Sequence, residues 1–196
     1  MLHTGDIDLR ATMKPIGVYP RDPTTRWTAN SFAKAVLTPE GPGTMLLEWD
    51  GNGTTTVEAW GGGADWLVER APHWVGLHDD LDGFDPSLHP KIAAWSRRHS
   101  GIRLPAAGVI WQELLLVLLG QRVTTEEAVK SWARMVYAWG EPAPGSCDLR
   151  LPPTPEIIAS KTYVELHRFN VERRRADAIL LAARRADRLE EAAAMT

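Results

Sequence analysis

Between Val109 and Leu119 the chain reads VIWQELLLVLL, and Gln112 and Glu113 are its only polar interruptions. A helix built from that run is apolar nearly all round, and such a helix belongs in the middle of a core. At about three turns it is far shorter than the roughly 20 apolar residues needed to cross a bilayer. The next five residues, Gly120-Gln121-Arg122-Val123-Thr124, switch abruptly to a glycine, an amide, a guanidinium and a hydroxyl. The expectation is a rigid buried rod that delivers a polar tip to the surface.

The rest of the chain must supply the walls around that rod. Its 196 residues suffice for one compact domain or two small ones. A hydrophobic fraction of 44% with 24% charged residues is that of an ordinary globular protein and excludes disorder. The N-terminus lacks a cationic start followed by an apolar stretch, and no later segment spans a membrane, so a cytoplasmic protein with no membrane partner is expected. Cys147 is the single cysteine, which excludes an internal disulfide and a cysteine-ligated metal site. The six histidines are scattered, and no cofactor or metal is expected. Residues 1–90 carry 6 basic and 13 acidic side chains, net −7, whereas residues 91–196 carry 16 and 12, net +4. The second half is the one suited to meet phosphate.

The first 35 residues contain Pro15, Pro20 and Pro23 and read as extended segments and turns rather than a long helix. Thr44–Trp49 and Thr54–Trp60 are rich in strand formers and flank Asp50-Gly51-Asn52-Gly53, which predicts a hairpin. Gly61-Gly62-Gly63 ends the second strand, and a short helix follows over Ala64–Arg70. The triplet is no phosphate loop, because no lysine followed by Ser or Thr occurs at the required offset. Around His78–Asp85 an apparent calcium loop fails at both ends, where His78 and His89 stand in place of the needed carboxylates. An acidic surface loop between two domains is the better reading, with the boundary near Asp85-Pro86.

Residues 90–99 suit a short helix with Ile92 and Trp95 inward. After the polar corner, Thr124 and Glu127 form a capping box. Ala128, Trp132, Met135, Val136 and Trp139 then place one face inward at helical spacing, with Glu126, Lys130 and Arg134 facing water. Gly140 ends that helix, and five prolines from Pro142 to Pro155 make a rigid connection. Thr154-Pro155-Glu156 starts another short helix. Residues 161–170 are ambiguous between helix and loop. Asn170 can cap a last helix with Ile179, Ala182, Ala183, Ala186 and Leu189 on one side and Arg173, Asp177, Arg184 and Arg188 on the other. No glycine, asparagine or proline follows Leu189 to stop it.

Taken together, GIRLP at 101–105, LLGQRVTTEEA at 118–128, PPTPE at 152–156 and HRFNVERRRADAI at 167–179 resemble the helix-hairpin-helix DNA glycosylase superfamily, within it the alkylbase (3-methyladenine) branch. The resemblance implies an α+β chain: a small antiparallel β-containing N-terminal domain over residues 1–88, then an all-α helical lobe over 89–196. It also implies base-excision repair, in which a damaged base is flipped from duplex DNA and its N-glycosidic bond hydrolysed. The corner after the core helix would approach the duplex and fill the gap left by the flipped base. The candidate DNA-binding residues are Gln121, Arg122, Val123, Thr124, Arg173 and Arg174. Arginine at 122 stands where some relatives carry an apolar wedge; it can stack on a base or enter the minor groove, and Gln121 can hydrogen-bond the orphaned partner base. The plain structural alternative has Gln121 capping the core helix and Arg122 paired with a carboxylate.

The superfamily's chemistry resides in a hairpin of the L-P-G-[IV]-G-x-W-T type, whose amides hold a phosphate, and in an Asp beyond it. Neither is matched here, and Asp177 and Asp187 do not inherit the catalytic assignment. No catalytic residue is therefore assigned. The resemblance implies a chain cut short before the active site, expected to be inactive alone and to bind DNA weakly and without sequence preference. The alternative is a non-enzymatic DNA- or protein-binding module that keeps the glycosylase core, with a protein partner or self-association at the open C-terminal end.

Overall fold

The structure, a computed structural model, describes residues 1–17, 21–80 and 82–194. The fold is α+β: a five-stranded antiparallel sheet precedes a series of helices. The strands are β1 (Leu2–His3), β2 (Thr25–Trp27), β3 (Ser31–Thr38), β4 (Gly41–Trp49) and β5 (Thr54–Gly61), in the spatial order β1-β5-β4-β3-β2. A short helix, α1 (Leu9–Met13), capped by the Asp8 carboxylate, lies between β1 and β2. The predicted hairpin is β4–β5, with Met45 opposite Ala59 and Leu47 opposite Val57. Its turn holds Gly51 and Gly53 at φ of 76° and 84°, and the Asp50 carboxylate accepts the Asn52 and Thr54 amides. Those backbone bonds, Asn52 first, hold the Asp50 carboxyl below its ordinary pKa.

Strand β3 hides its alternation because both of its faces are covered. Phe32 and Val36 pack with Met45, Leu47 and Trp74 on one side; Ala33 and Ala35 meet Leu149 and Leu151 on the other. The proline-rich connection after Gly140 thus lies over the second face of the sheet, joined to it where the Arg150 amide donates to the Pro23 carbonyl. The helix after the glycine triplet, α2 (Ala64–Trp74), runs past the predicted Arg70 and through Pro72, so that Ala71 and Trp74 are buried.

Helix α3 (Pro90–Arg98) exists where expected, but its orientation corrects the sequence reading. Ile92 and Trp95 point outward at 36% and 60% exposure, and no residue of α3 is buried. Its neighbour is the single turn Pro86–Leu88, so its apolar side has no core to enter.

The central rod, α4, spans Trp111–Leu119, while Val109 before it packs into the sheet's core. Enclosure is incomplete: Leu115 and Leu119 are fully buried, but Val117 is 63% exposed. The two polar interruptions join rod to sheet. Gln112 Oε1 accepts the Leu37 amide at 3.2 Å, and Glu113 Oε1 meets the buried Lys34 Nζ at 2.6 Å. The N-terminus of α4 is capped from a distance, because the Glu190 carboxylate accepts the amides of Ile110 and Trp111 at 2.8 and 2.6 Å.

Helix α5 (Thr125–Trp139) buries Ala128, Trp132, Met135 and Val136 as its spacing requires. Trp132 Nε1 donates to the buried carboxylate of Asp22 at 2.8 Å, tying α5 to the segment before β2. Helices α6 (Pro155–Ala159) and α7 (Tyr163–His167) follow, the latter with its own capping box from Thr162 and Glu165. The last helical stretch is broken, not continuous: α8 (Arg173–Ala183) ends before Arg184 and α9 (Ala186–Glu190) starts after Arg185. The break sets Ala186 in the core and brings Glu190 to α4. Asn170 does not cap α8; it takes a left-handed φ of 63°, and the N-cap position is Glu172, whose side chain makes no capping bond.

Candidate nucleic-acid interface

The polar corner is built by the end of one buried helix and the start of the next. Gly120 closes α4 by donating to the Leu116 and Val117 carbonyls, and the Gln121 amide donates to Leu118. Arg122 then takes φ of 58°, a left-handed backbone that a β-carbon disfavours, and this reverses the chain. Thr124 opens α5 with both halves of the capping box: its amide and hydroxyl donate to Glu127 Oε2 at 3.0 and 2.9 Å, and its hydroxyl accepts the Glu127 amide. The Thr124 donors, backbone first, hold the Glu127 carboxyl below its ordinary pKa.

Gln121, Arg122 and Thr124 are exposed and Val123 is half-buried. Among the described residues the side chains of Gln121 and Arg122 make no hydrogen bond or ion pair, so Gln121 does not cap α4 and Arg122 has no carboxylate partner. The corner therefore presents an amide and a guanidinium with their donors unengaged.

Sequence reasoning missed the residue that holds this corner from behind. Arg175, 5% exposed, donates from Nη1 to the Leu119 carbonyl at 2.9 Å and from Nη2 to the Asn170 carbonyl at 2.8 Å. Leu119 lies in the last turn of α4, where carbonyls have no helical partner, so a buried cation answers the negative end of the rod. A signal existed: Arg175 is four residues before Ile179 and shares its inward stripe, while Arg173 and Arg174 face out. The same bond brings the first turn of α8 to the base of the corner. Arg173 there is tied to Asp177 at 3.1 Å and lies over the Tyr163 ring, whereas Arg174 is exposed and unpaired among the described residues.

Beside the capping box, Lys130, Arg134, His167 and Arg168 line a cleft of about 430 Å³ with Glu127 and Asn170. This basic group was also invisible in the sequence, because its members come from α5 and from the end of α7. Arg134 is fixed by a bond to the Arg168 carbonyl at 2.7 Å and by the Phe169 ring beneath it.

Two other features bear on chemistry. Burial pushes the Cys147 thiol above its ordinary pKa, which keeps it protonated and a poor nucleophile. Among the described residues no group of three or more His, Cys, Asp or Glu could hold a metal ion, and no helix is long and apolar enough to cross a membrane.

No family model and no curated protein matches the chain. Solved structures do. The 3-methyladenine DNA-glycosylase from Archaeoglobus fulgidus aligns at a TM-score of 0.67 with 19% identity, over 90% of this chain and 63% of that one. MBOgg1 in complex with a low-affinity DNA ligand aligns at 0.68 with 15% identity, over 95% and 61%. The apo 8-oxoguanine glycosylase/lyase of Clostridium acetobutylicum aligns at 0.56 with 11% identity, over 85% and 67%. The chain thus has the fold seen in DNA glycosylases, and it spans 63% and 61% of the length of the first two.

Proposed function

We propose that the chain is a DNA-repair protein of the alkylbase (3-methyladenine) glycosylase type that engages duplex DNA through the Gln121–Arg122 corner. One observation carries this reading: two unengaged polar side chains sit on a left-handed turn buttressed by Arg175, at the end of the buried helix. The archaeal 3-methyladenine DNA-glycosylase shares this fold, as do MBOgg1 and the clostridial 8-oxoguanine glycosylase/lyase, so the choice of branch rests on the sequence motifs at 118–128 and 167–179. Val123 and Thr124 shape the turn, while Arg174, on α8 beside it, adds a cation for a backbone phosphate. The sheet-containing part, residues 1–88, acts as the support, and residues 89–196 act as the binding lobe. Ala107 and Val109 anchor the lobe in the support's core.

Residues 1–196 contain no match to the phosphate-holding hairpin or to the Asp that would stabilise a cationic sugar. Without a placed carboxylate, the electrostatic stabilisation that dominates such catalysis has no source in these residues. The 196-residue chain therefore binds DNA weakly and without sequence preference, and does not release bases by itself. The test is incubation of the purified chain with alkylated duplex DNA: binding that falls steeply with salt, and no 3-methyladenine released, is the expected result. Robust base release overturns the proposal.

A second reading, a non-enzymatic module that binds a protein or itself, is favoured by apolar side chains left outside on two packed helices, Val117 of α4 and Leu181 of α8, at 63% and 51% exposure. Sizing combined with a salt titration separates the two. A monomer that loses DNA with salt supports the first; a salt-insensitive oligomer supports the second.

A further inference from the structure

At the far end of α5 from the corner, Tyr137, Arg150, Arg26 and Arg21 line a cleft of about 570 Å³, a volume in the range of small-ligand sites. Three segments distant in sequence meet there. The Arg150 amide donates to the Pro23 carbonyl, and Arg150 pairs across the connection with Pro142. Three guanidinium groups face two carboxylates, and those carboxylates are not equivalent. Asp22 is 7% exposed, and its Oδ1 accepts from Trp132 Nε1, the Thr24 amide and the Thr24 hydroxyl, so it is spent on the interior. Asp148 has a 95% exposed side chain whose carboxylate reaches Arg26 Nη2 only at 3.5 Å, while its backbone carbonyl accepts from the same nitrogen at 3.3 Å. A pairing that long and that open to water is exchangeable.

The cations are poised rather than consumed. Arg21 is exposed and makes no side-chain bond or ion pair among the described residues. Arg150 is held against the Tyr137 ring at 5.6 Å and bonded to the Gly140 carbonyl, which fixes its fork in place. Its Nε is buried without a partner. Arg21 and Asp148, on two of the meeting segments, both hold left-handed backbone, φ of 71° and 50°, in residues that bear a β-carbon. The other two such residues among those described, Arg122 and Asn170, belong to the DNA-facing corner and the cleft beside it.

We infer that this cleft binds a phosphate group of nucleotide chemistry, with Arg26 and Arg21 taking the phosphate, Arg150 holding the floor and the exposed Tyr137 ring offering a stacking face for a base. Planar guanidinium forks match pairs of oxygens, and two of them together suit the three terminal oxygens of a phosphate monoester. On entry the phosphate displaces the Asp148 carboxylate from Arg26. Two sources supply the same chemistry, a free mononucleotide or the backbone of DNA already held at the corner, and the experiment has an arm for each.

The full chain is titrated with inorganic phosphate, with adenosine 5′-monophosphate and with undamaged duplex DNA while backbone amide signals are followed by NMR. Saturable shifts at residues 21–26 and 148–150 are expected. Arg26→Ala, at an exposed position, weakens them by about tenfold, the usual scale for one charge-assisted contact. Asp148→Asn tightens binding severalfold, because it removes the competing carboxylate and asparagine tolerates the left-handed backbone. A merely structural role for these residues does not predict that gain. Shifts with the mononucleotide assign the free ligand; shifts with duplex alone, weakened to the same extent by Arg26→Ala, assign the DNA backbone. Arg122→Ala leaves mononucleotide binding unchanged, so failure at the corner and failure at the cleft are distinguishable. Absence of shifts at both segments with all three probes overturns the inference.

Discussion

The guanidinium of Arg175 donates to the carbonyl of Leu119 at 2.9 Å from within the helical core. With its second bond, to Asn170 at 2.8 Å, it clamps the end of the central rod to the loop that precedes α8. Removing it strands two carbonyls. Arg175→Met is therefore expected to destabilise the protein by about 2–4 kcal/mol, the scale of two buried charge-assisted bonds less the relief of desolvating a cation. The measurement is a denaturant midpoint at unchanged slope. Arg175→Lys recovers little, because one ammonium cannot reproduce the fork. A midpoint unmoved by Arg175→Met would show that the clamp carries no stability.

At the opposite end of the same rod, Glu190 stands in for a local cap. Its two oxygens take the Ile110 and Trp111 amides, where the positive end of the helix favours a carboxylate. Glu190→Ala is expected to cost about 1–2 kcal/mol, in the range of N-cap losses strengthened by charge. Glu190→Gln should fall between, since an amide offers one acceptor oxygen instead of two. Equal stability of the wild type and the alanine variant in a thermal melt would contradict this.

Acid should weaken the protein through its capping boxes. The Glu127 and Glu165 carboxyls are both held below the ordinary 4.5, chiefly by the backbone amides of Thr124 and Thr162. A carboxyl with a depressed folded pKa contributes stability that is present above the unfolded value and is lost as pH falls through the folded one. The melting temperature should thus decline as pH drops below about 4.5, and the double variant Glu127→Gln, Glu165→Gln should flatten part of that decline. A double variant with the wild-type pH profile is the contrary result.

What could be read from the chain follows from which interactions are local. The β4–β5 hairpin, the Thr124–Glu127 box and the buried stripe of α5 are written within a few residues of one another, and all stand in the structure. Strand β3 was legible only as part of an extended stretch up to residue 35, because covering on both faces erases the alternation that marks a strand, and Lys34 disguises it further. Its charge is tolerated because Glu113, 79 residues away, and the Ile16 carbonyl meet it. Helix α3 misled for the converse reason: Ile92 and Trp95 have core-like spacing but no core beside them. At the corner the exposed Gln121 and Arg122 were legible as a change of polarity. Arg175 and the basic cleft were not, since each depends on which helices come to lie side by side.

Arg122 offers the sharpest test of the corner, because stability and binding should move in opposite directions. Its backbone sits at φ of 58°, which costs a residue with a β-carbon about 1 kcal/mol, and its side chain repays nothing through a bond inside the described protein. Arg122→Gly removes the strain together with the guanidinium. The variant should gain up to about 1 kcal/mol in denaturant unfolding. At the same time it should bind duplex DNA more weakly, with a salt dependence shallower by about one counterion. Arg122→Lys keeps the charge at the same φ, so it should retain the salt slope and the wild-type stability. Fluorescence anisotropy across a salt series, run beside the unfolding curves, reads both quantities on the same preparations. If Arg122→Gly left DNA affinity and its salt slope unchanged, the corner would be a turn and not a contact, and the DNA-binding role assigned to it would fall.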